Sequence, residues 1–383
     1  MVKRMAAVLA ACVLLGGCAA GGGEESTVQT AVTTAQTIAV TTAQTAAVTT
    51  AQTTAQTTTA QTTATTDEPT QTGERLCVSI FKDGKSSIWE YDTVAGTWTE
   101  RLSKRHVMLS SCMDGAGNLF FIDALSDYDQ WQVFRYDAAT KKVSQLTDDM
   151  LAKGDVTMAR DGEVYFNQSS SVGMNRVFRL DKKGSGYVPV QMQDASADTE
   201  IPRYCVGDDD AIYTAEYSFS EANKLYENSE DGNYVQDVSI VCYDKAHPNG
   251  KTVTVVQTSF SDVSELSVAG KNLLVVSEDE KGAYRFQIVD LTSDKITATY
   301  TAHKLCASKG LQYIGGLGCE CCLSENGDAV YFAGVPDGAT TIDLDGIEGL
   351  SMGLFRLDLK TGKVTRLDTF KDAIVSDITE VID

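Results

Sequence analysis

The sequence predicts an all-β fold, a six-bladed β-propeller closed by its N- and C-terminal strands, carried behind a disordered stalk. Three observations lead there. First, a short pattern recurs six times in the 383-residue chain: a β-rich strand ending in Asp, a tight polar turn, then a second strand. Its aspartates, Asp92, Asp137, Asp181, Asp244, Asp290 and Asp358, follow one another at 45, 44, 63, 46 and 68 residues, the two long intervals carrying insertions. Second, two further strand-like runs precede these hairpins, as in Asp155–Arg160 with Glu163–Gln168 and Val263–Val268 with Asn272–Ser277. Four strands per unit at a period near 45 residues is the mark of a propeller. Third, the first unit has only three strands (Leu76–Phe81, Ile88–Asp92, Thr97–Leu102), while Ile374–Ile382 is an orphan fourth. Joining the two closes the ring and removes its free edges.

The chain opens with Lys3 and Arg4 before an apolar run, Met5–Leu15. That run is too short to span a bilayer, which takes roughly 20 residues, and it reads as a secretory signal. Its end, Leu15-Gly16-Gly17-Cys18, resembles the bacterial lipobox. The resemblance implies that residues 1–17 are removed and that Cys18 becomes a lipidated N-terminus. Two or three acyl chains hold a protein stably at a membrane. Residues 18–75 are the stalk, rich in Thr, Ala and Gln, with TTAQT recurring, no aromatic residue, and charge confined to its two ends. Such a segment buries too little apolar surface to offset its ordering entropy. Its many β-branched threonines disfavour a helix. A tether of about 55 residues reaches roughly 40 Å on average. Residues 76–383 form the propeller domain.

Each repeat aspartate has a local reason. It starts a turn, and its carboxylate accepts N–H bonds from the residues that follow. No catalytic role is needed for any of them. The repeats resemble the TolB-like and PD40 group of six-bladed propellers. Phe355-Arg356-Leu357-Asp358-Leu359-Lys360-Thr361-Gly362-Lys363-Val364-Thr365-Arg366-Leu367 is the best copy. The resemblance covers Leu76–Asp383 and implies architecture more than activity. Members that are proteases carry an added hydrolase domain, which is not expected here.

Turns between first and second strands, and between third and fourth, are short. Connections between second and third strands are long: Ser126–Gln130, Ser169–Asn175, Ser218–Asp237 and Gly334–Ser351. In a propeller these share one face with the inter-blade loops, and binding residues collect on such loops. The fourth-blade insertion groups Tyr217, Phe219, Tyr226 and Tyr234 with several acids, aromatic plates and acceptors that suit a glycan or a peptide. Rings that merely pin the loop are the alternative. The sixth-blade insertion offers Asp337, Asp343, Asp345 and Glu348, oxygen ligands for Ca²⁺, although their spacing does not match an EF-hand. Otherwise no cofactor is expected.

Catalytic signatures are sparse. Gly349-Leu350-Ser351-Met352-Gly353 matches G-x-S-x-G, but a strand follows it and His106, His247 and His303 all precede it. The hydrolase motif needs a helix after it and the histidine downstream. Eight cysteines remain beyond Cys12 and Cys18. Outside the cell an even number suggests disulfides. Cys306 is expected to bridge to one member of the Cys319, Cys321, Cys322 cluster, with buried free thiols as the alternative. In a strand, Cys319 and Cys321 share one face and Cys322 takes the other. The net charge of −21 repels nucleic acid and anionic headgroups and suits cationic partners.

The leading expectation is therefore a surface-anchored binding module, favoured over an enzyme, presenting its long-loop face to a glycan, peptide or envelope partner. The alternative is a carboxylate- or divalent-metal-dependent hydrolase or lactonase with its site at the propeller's central mouth. The expected partners are the membrane, through the lipid, and a cell-wall glycan or envelope protein. The expected location is the outer face of a Gram-positive cytoplasmic membrane, with the Gram-negative outer membrane as the alternative.

Overall fold

A computed structural model describes residues 73–383 apart from 106–107, 125–130, 170–174, 182–185, 191, 193–195, 230–231, 261–262, 308–309, 315–319 and 345–346. Six antiparallel blades form from strands in chain order. Blade one contains β1 (Arg75–Lys82), β2 (Lys85–Asp92) and β3 (Thr97–Lys104). Blade two contains β4 (Met108–Asp114), β5 (Leu119–Ala124), β6 (Trp131–Asp137) and β7 (Lys142–Gln145). Blade three contains β8 (Lys153–Met158), β9 (Val164–Ser169), β10 (Asn175–Leu180) and β11 (Tyr187–Pro189). Blade four contains β12 (Thr199–Val206), β13 (Ile212–Ser218), helix α1 (Phe219–Asn228), β14 (Val235–Tyr243) and β15 (Lys251–Ser259). Blade five contains β16 (Val263–Ala269), β17 (Asn272–Glu278), β18 (Tyr284–Asp290) and β19 (Lys295–Thr301), with helix α2 (Ala302–Cys306) after it. Blade six has a divided inner strand, β20 (Leu311–Ile314) and β21 (Cys321–Leu323), both pairing with β22 (Ala329–Pro336). A hairpin of β23 (Thr341–Leu344) and β24 (Ile347–Leu350) follows, then β25 (Gly353–Asp358) and β26 (Val364–Arg366).

The last strand, β27 (Ile374–Ile382), closes the ring. It pairs antiparallel with β1 from Leu76↔Glu380 to Phe81↔Ile374, and parallel with β4 at Val381↔Met113. Its Ile374, Val375, Ile378 and Val381 are buried, so the seam is sealed by packing as well as by the ladder. Core clusters lie between blades, each drawing residues from two neighbouring sheets. One joins Phe286 of β18 to Phe332 and Phe355 of blade six.

The repeat aspartates act as their position predicts. Asp92 Oδ1 accepts from the Val94 and Ala95 amides at 2.9 and 2.8 Å, and Asp290 Oδ1 from the Thr292 and Ser293 amides. Asp358 Oδ1 accepts from both the amide and the hydroxyl of Thr361, at 2.8 and 2.7 Å. These bonds favour the charged form and hold the Asp358 carboxyl below the ordinary range. The fifth residue of such a turn needs positive φ. Gly96 and Gly362 supply it without strain, whereas Lys141 takes it at φ 61°.

Two insertions expected as loops are ordered differently. Ser218 caps α1, its hydroxyl accepting from the Glu221 amide at 3.2 Å, and Asp198 accepts from Ser218 and Ser220. The sixth-blade insertion carries the β23–β24 hairpin.

Candidate functional site

The six inner strands, β27, β4, β8, β12, β16 and β21, surround the propeller axis and line a pocket of about 130 Å³. Near the start of its run each inner strand breaks register with its neighbour. The shifts fall between Met108 and Ser111, Lys153 and Val156, Glu200 and Arg203, Val263 and Glu265, and, opposite β27, Ser79 and Ile80. In blade six the shift lies between Leu311 and Tyr313. A bulge adds a residue on one strand and re-aims its side chain. At or beside the shifts in blades three, four and five and in β27 stand polar residues, Asp155, Arg203, Glu265 and Asp377, and Glu320 precedes β21 in blade six. Because this is the N-terminal part of each inner strand, it faces the side that carries the inter-blade connections and the long insertions.

Arg203 bridges the two neighbouring blades. Its Nη1 lies 3.2 Å from Asp155 Oδ2, and its Nε donates to the Ser264 carbonyl at 2.8 Å, tying blades three, four and five together. The Tyr204 hydroxyl donates to the Asp155 carbonyl at 3.0 Å. Asp377 is buried, and its Oδ2 accepts the Ser111 amide at 2.6 Å. No lysine or arginine forms an ion pair with Asp377 or Glu265 among the described residues. Burial raises the Asp377 carboxyl to about 7, against the bond from Ser111 and with help from the Asp155 charge. Glu265 keeps some surface toward the pocket but is otherwise enclosed. That desolvation, followed by the charge of Glu320, holds its carboxyl well above the ordinary range, with Arg203 opposing. At the far end of the axis Arg160 pairs with Asp208 at 3.2 Å, Glu325 at 3.6 Å and Glu380 at 3.2 Å. Burial lifts Glu380 to about 7 against the pull of Arg160. The pocket thus has an acidic end with a single arginine and a second end occupied by an ion-pair knot.

The residues singled out from sequence are placed variously. Cys18 and Cys319 lie outside the described residues. Tyr217 is half-buried against the core between blades four and five, and Phe219 opens α1. Tyr234 packs edge-on against Phe260 at 5.9 Å, while Tyr226 on α1 is 60% exposed. Asp337 accepts the Gly310 amide at 2.9 Å, and Asp343 lies exposed on β23. Asp345 and the Glu348 side chain are outside the described residues. Among the described residues no three His, Cys, Asp or Glu side chains converge as a metal's ligand set.

The bridge expected from Cys306 is corrected: Cys306 and Cys322 carry no disulfide. Cys306 ends α2 beside the core between blades five and six, whereas Cys322 faces the core between blades six and one. Cys321 faces the former core, so the two neighbours point apart, as alternation along a strand requires. Cys77, Cys112, Cys205 and Cys242 are buried unbridged thiols, and burial pushes the Cys77 thiol up to about 12.

No protein-family model matches the sequence, and no curated protein is similar to it. Solved structures are. TolB from Acinetobacter baumannii superposes with a TM-score of 0.55 at 16% identity, over 80% of this chain and 66% of that one. The fold is that of a TolB-like β-propeller. This chain therefore spans slightly under two thirds of that TolB's length. A provisionally assigned TolB from Agrobacterium tumefaciens gives 0.47 at 11% identity, covering 80% of this chain and 98% of that one. A provisionally assigned 6-phosphogluconolactonase from Bacteroides fragilis also gives 0.47 at 11%, covering 82% and 100%. At 16% identity the likeness to the Acinetobacter structure speaks for the architecture alone.

Of the axial residues, none was legible as a site in the sequence. Asp155, Arg203, Glu265, Glu320 and Asp377 are spread over more than two hundred residues and meet only when the ring closes.

Proposed function

We propose that this protein is a surface-anchored binding module, held at the membrane through Cys18, whose TolB-like propeller receives a cationic group of its partner in the axial pocket. The reading rests on one observation: Asp377 and Glu265 face a polar pocket in which no described lysine or arginine forms an ion pair with either, Arg203 being paired with Asp155, on the side of the ring that bears the long insertions. Buried carboxylates without a partner are costly, and such groups gather at functional sites. An ammonium or guanidinium would supply the missing charge. At about 130 Å³ the pocket admits one side chain or a peptide amino terminus. A cell-wall peptide or an envelope protein with an exposed Lys or Arg has that chemistry.

The cation favours ionised carboxylates, so binding releases protons from Glu265 and Asp377, and affinity rises with pH between about 5 and 8. The check is calorimetry with N-acetyl-Gly-Lys-Gly-amide, its Arg counterpart and its Glu counterpart. The basic peptides should bind, more tightly at pH 8 than at pH 5, and Glu265→Gln should weaken them about tenfold. Equal binding of the Glu peptide, or an unchanged Glu265→Gln variant, would sink the reading.

The enzymatic alternative draws on the same acids. A Glu265 whose burial favours its protonated form, beside an Asp155 ion-paired to Arg203, resembles a general acid next to a carboxylate. Turnover of a lactone or glycoside that disappears in Glu265→Gln would favour it.

A further inference from the structure

The outer strand of blade four is the longest of the described outer edges. β15 runs nine residues, against seven in β19, whose one charge is Lys295, four in β7 and three in β11 and β26. Its one charged residue, Lys251, is held by Asp294 at 2.6 Å, and Thr252–Ser259 carries no charge. The comparably long β3 is guarded by Glu100, Arg101 and Lys104. Exposed outer strands are normally blunted by charge, proline or brevity.

The register shows which backbone groups face outward. The Phe260 amide donates to the Tyr234 carbonyl, and pairing continues through Thr258↔Gln236 and Val256↔Val238. In an antiparallel ladder bonded pairs alternate with non-bonded ones. Residues 256 and 258 are therefore spent on β14, and Val255 and Gln257 turn their N–H and C=O groups away from the sheet. No described group bonds to the amides of Val255 or Gln257. Val255 is 49% exposed, and at the end of the strand Phe260 is 47% exposed and held at φ 54°, a strained conformation for an aromatic residue. Exposed Asp237 lies opposite Gln257, and α1, which packs on β13 and β14, presents exposed Glu221 and Glu227 with one exposed cation, Lys224, leaving the group net negative.

We propose that β15 is a docking edge for an extended polypeptide strand that bears basic residues and adds to blade four by main-chain pairing. The open amides and carbonyls of Val255 and Gln257 supply the pairing. Val255 and Phe260 supply apolar contact, and the acids of β14 and α1 select positive charge. A second copy of the chain is disfavoured as occupant because it brings the same acids and a net charge of −21. The proposal is independent of the axial pocket, whose side chains lie on the inner strands.

The experiment is fluorescence anisotropy of a labelled peptide, Lys-Thr-Val-Thr-Val-Thr-Val-Lys, with the full chain. Saturable binding is expected, weakened about tenfold or more by Val255→Lys, which places a charge on an already exposed edge position. A peptide N-methylated at alternate residues should not bind, which tests main-chain pairing without altering the protein. Glu265→Gln should leave this binding unchanged, so a failure here is separable from a failure of the pocket. No binding by the wild type overturns the proposal, as does equal binding of the N-methylated peptide or of one with Glu at both ends. A concentration-dependent dimer in sedimentation that Val255→Lys abolishes also overturns it, because the edge would then serve a second copy.

Discussion

Asp377 shows how one residue can serve both structure and site. Its Oδ2 stitches β27 to β4 through the Ser111 amide, so the carboxyl is fixed where the ring closes. Burial raises it to about 7, whereas an unfolded aspartate titrates near ~3.9. Between those values the folded protein keeps a proton that the unfolded chain gives up. Stability then falls as pH rises from about 4 to about 7, the reverse of the usual salt-bridged aspartate. Buried Glu200 and half-buried Glu380, each raised to about 7, act in the same direction. Asp377→Asn keeps an oxygen for the Ser111 amide and removes the buried charge. It should gain about 1–3 kcal/mol over wild type at pH 8 and nothing at pH 4. Urea unfolding at pH 4, 6 and 8 checks this, and parallel pH profiles for the two proteins would contradict the assigned environment. Residues of this kind escaped the sequence because nothing local marks them. Asp377 reads as one more polar position in an alternating strand, whereas Asp358 was legible because its partners, Thr361 and Gly362, are written beside it.

At the scale of elements, what was legible was whatever short-range chemistry fixes. The Asp-initiated hairpins, the short turns and the orphan strand Ile374–Ile382 all declare themselves within a few residues. The capping pair Ser218 and Glu221 was present as well and signalled α1, but the surrounding polar residues drew the reading toward a loop. The inner-strand bulges were not legible, since a bulge adds one residue without changing composition. They follow from fitting six strands around a narrow axis, which is a property of the ring. The closing strand gives the element-scale prediction. Ile378, 2% exposed, belongs to the core between blades six and one. Ile378→Ala should cost about 2–5 kcal/mol, while Ile296→Ala on β19, at 38% exposure, should cost well under ~1 kcal/mol. Deleting 374–383 leaves the inner edges of β1 and β4, otherwise held by β2 and β5, without a partner, and the remaining domain should aggregate on purification. A truncation that melts at the wild-type temperature would show that closure does not depend on β27.

For the whole molecule, charge and tether bear on one another. A net charge of −21 concentrates cationic partners near the acidic axis and keeps the domain off anionic headgroups, so a membrane-bound form needs a hydrophobic hold of its own. The lipobox-like Leu15-Gly16-Gly17-Cys18 would supply that hold. Electrostatics alone would favour release, which makes the anchor testable by a single atom. Cys18→Ser replaces the sulfur that would carry the lipid and leaves the propeller unchanged. The variant should move from the membrane pellet to the medium or periplasm, and the released protein should bind the basic tripeptides with wild-type affinity. Both readouts matter. Release with intact peptide binding assigns the lipid to location and the propeller to recognition. Release with lost binding would mean that the anchored N-terminal region contributes to recognition as well as to location. A Cys18→Ser protein that still sediments after high-salt and carbonate washing would refute the lipid anchor, because washing removes peripheral proteins and the retained variant would need a hold that does not depend on the Cys18 sulfur.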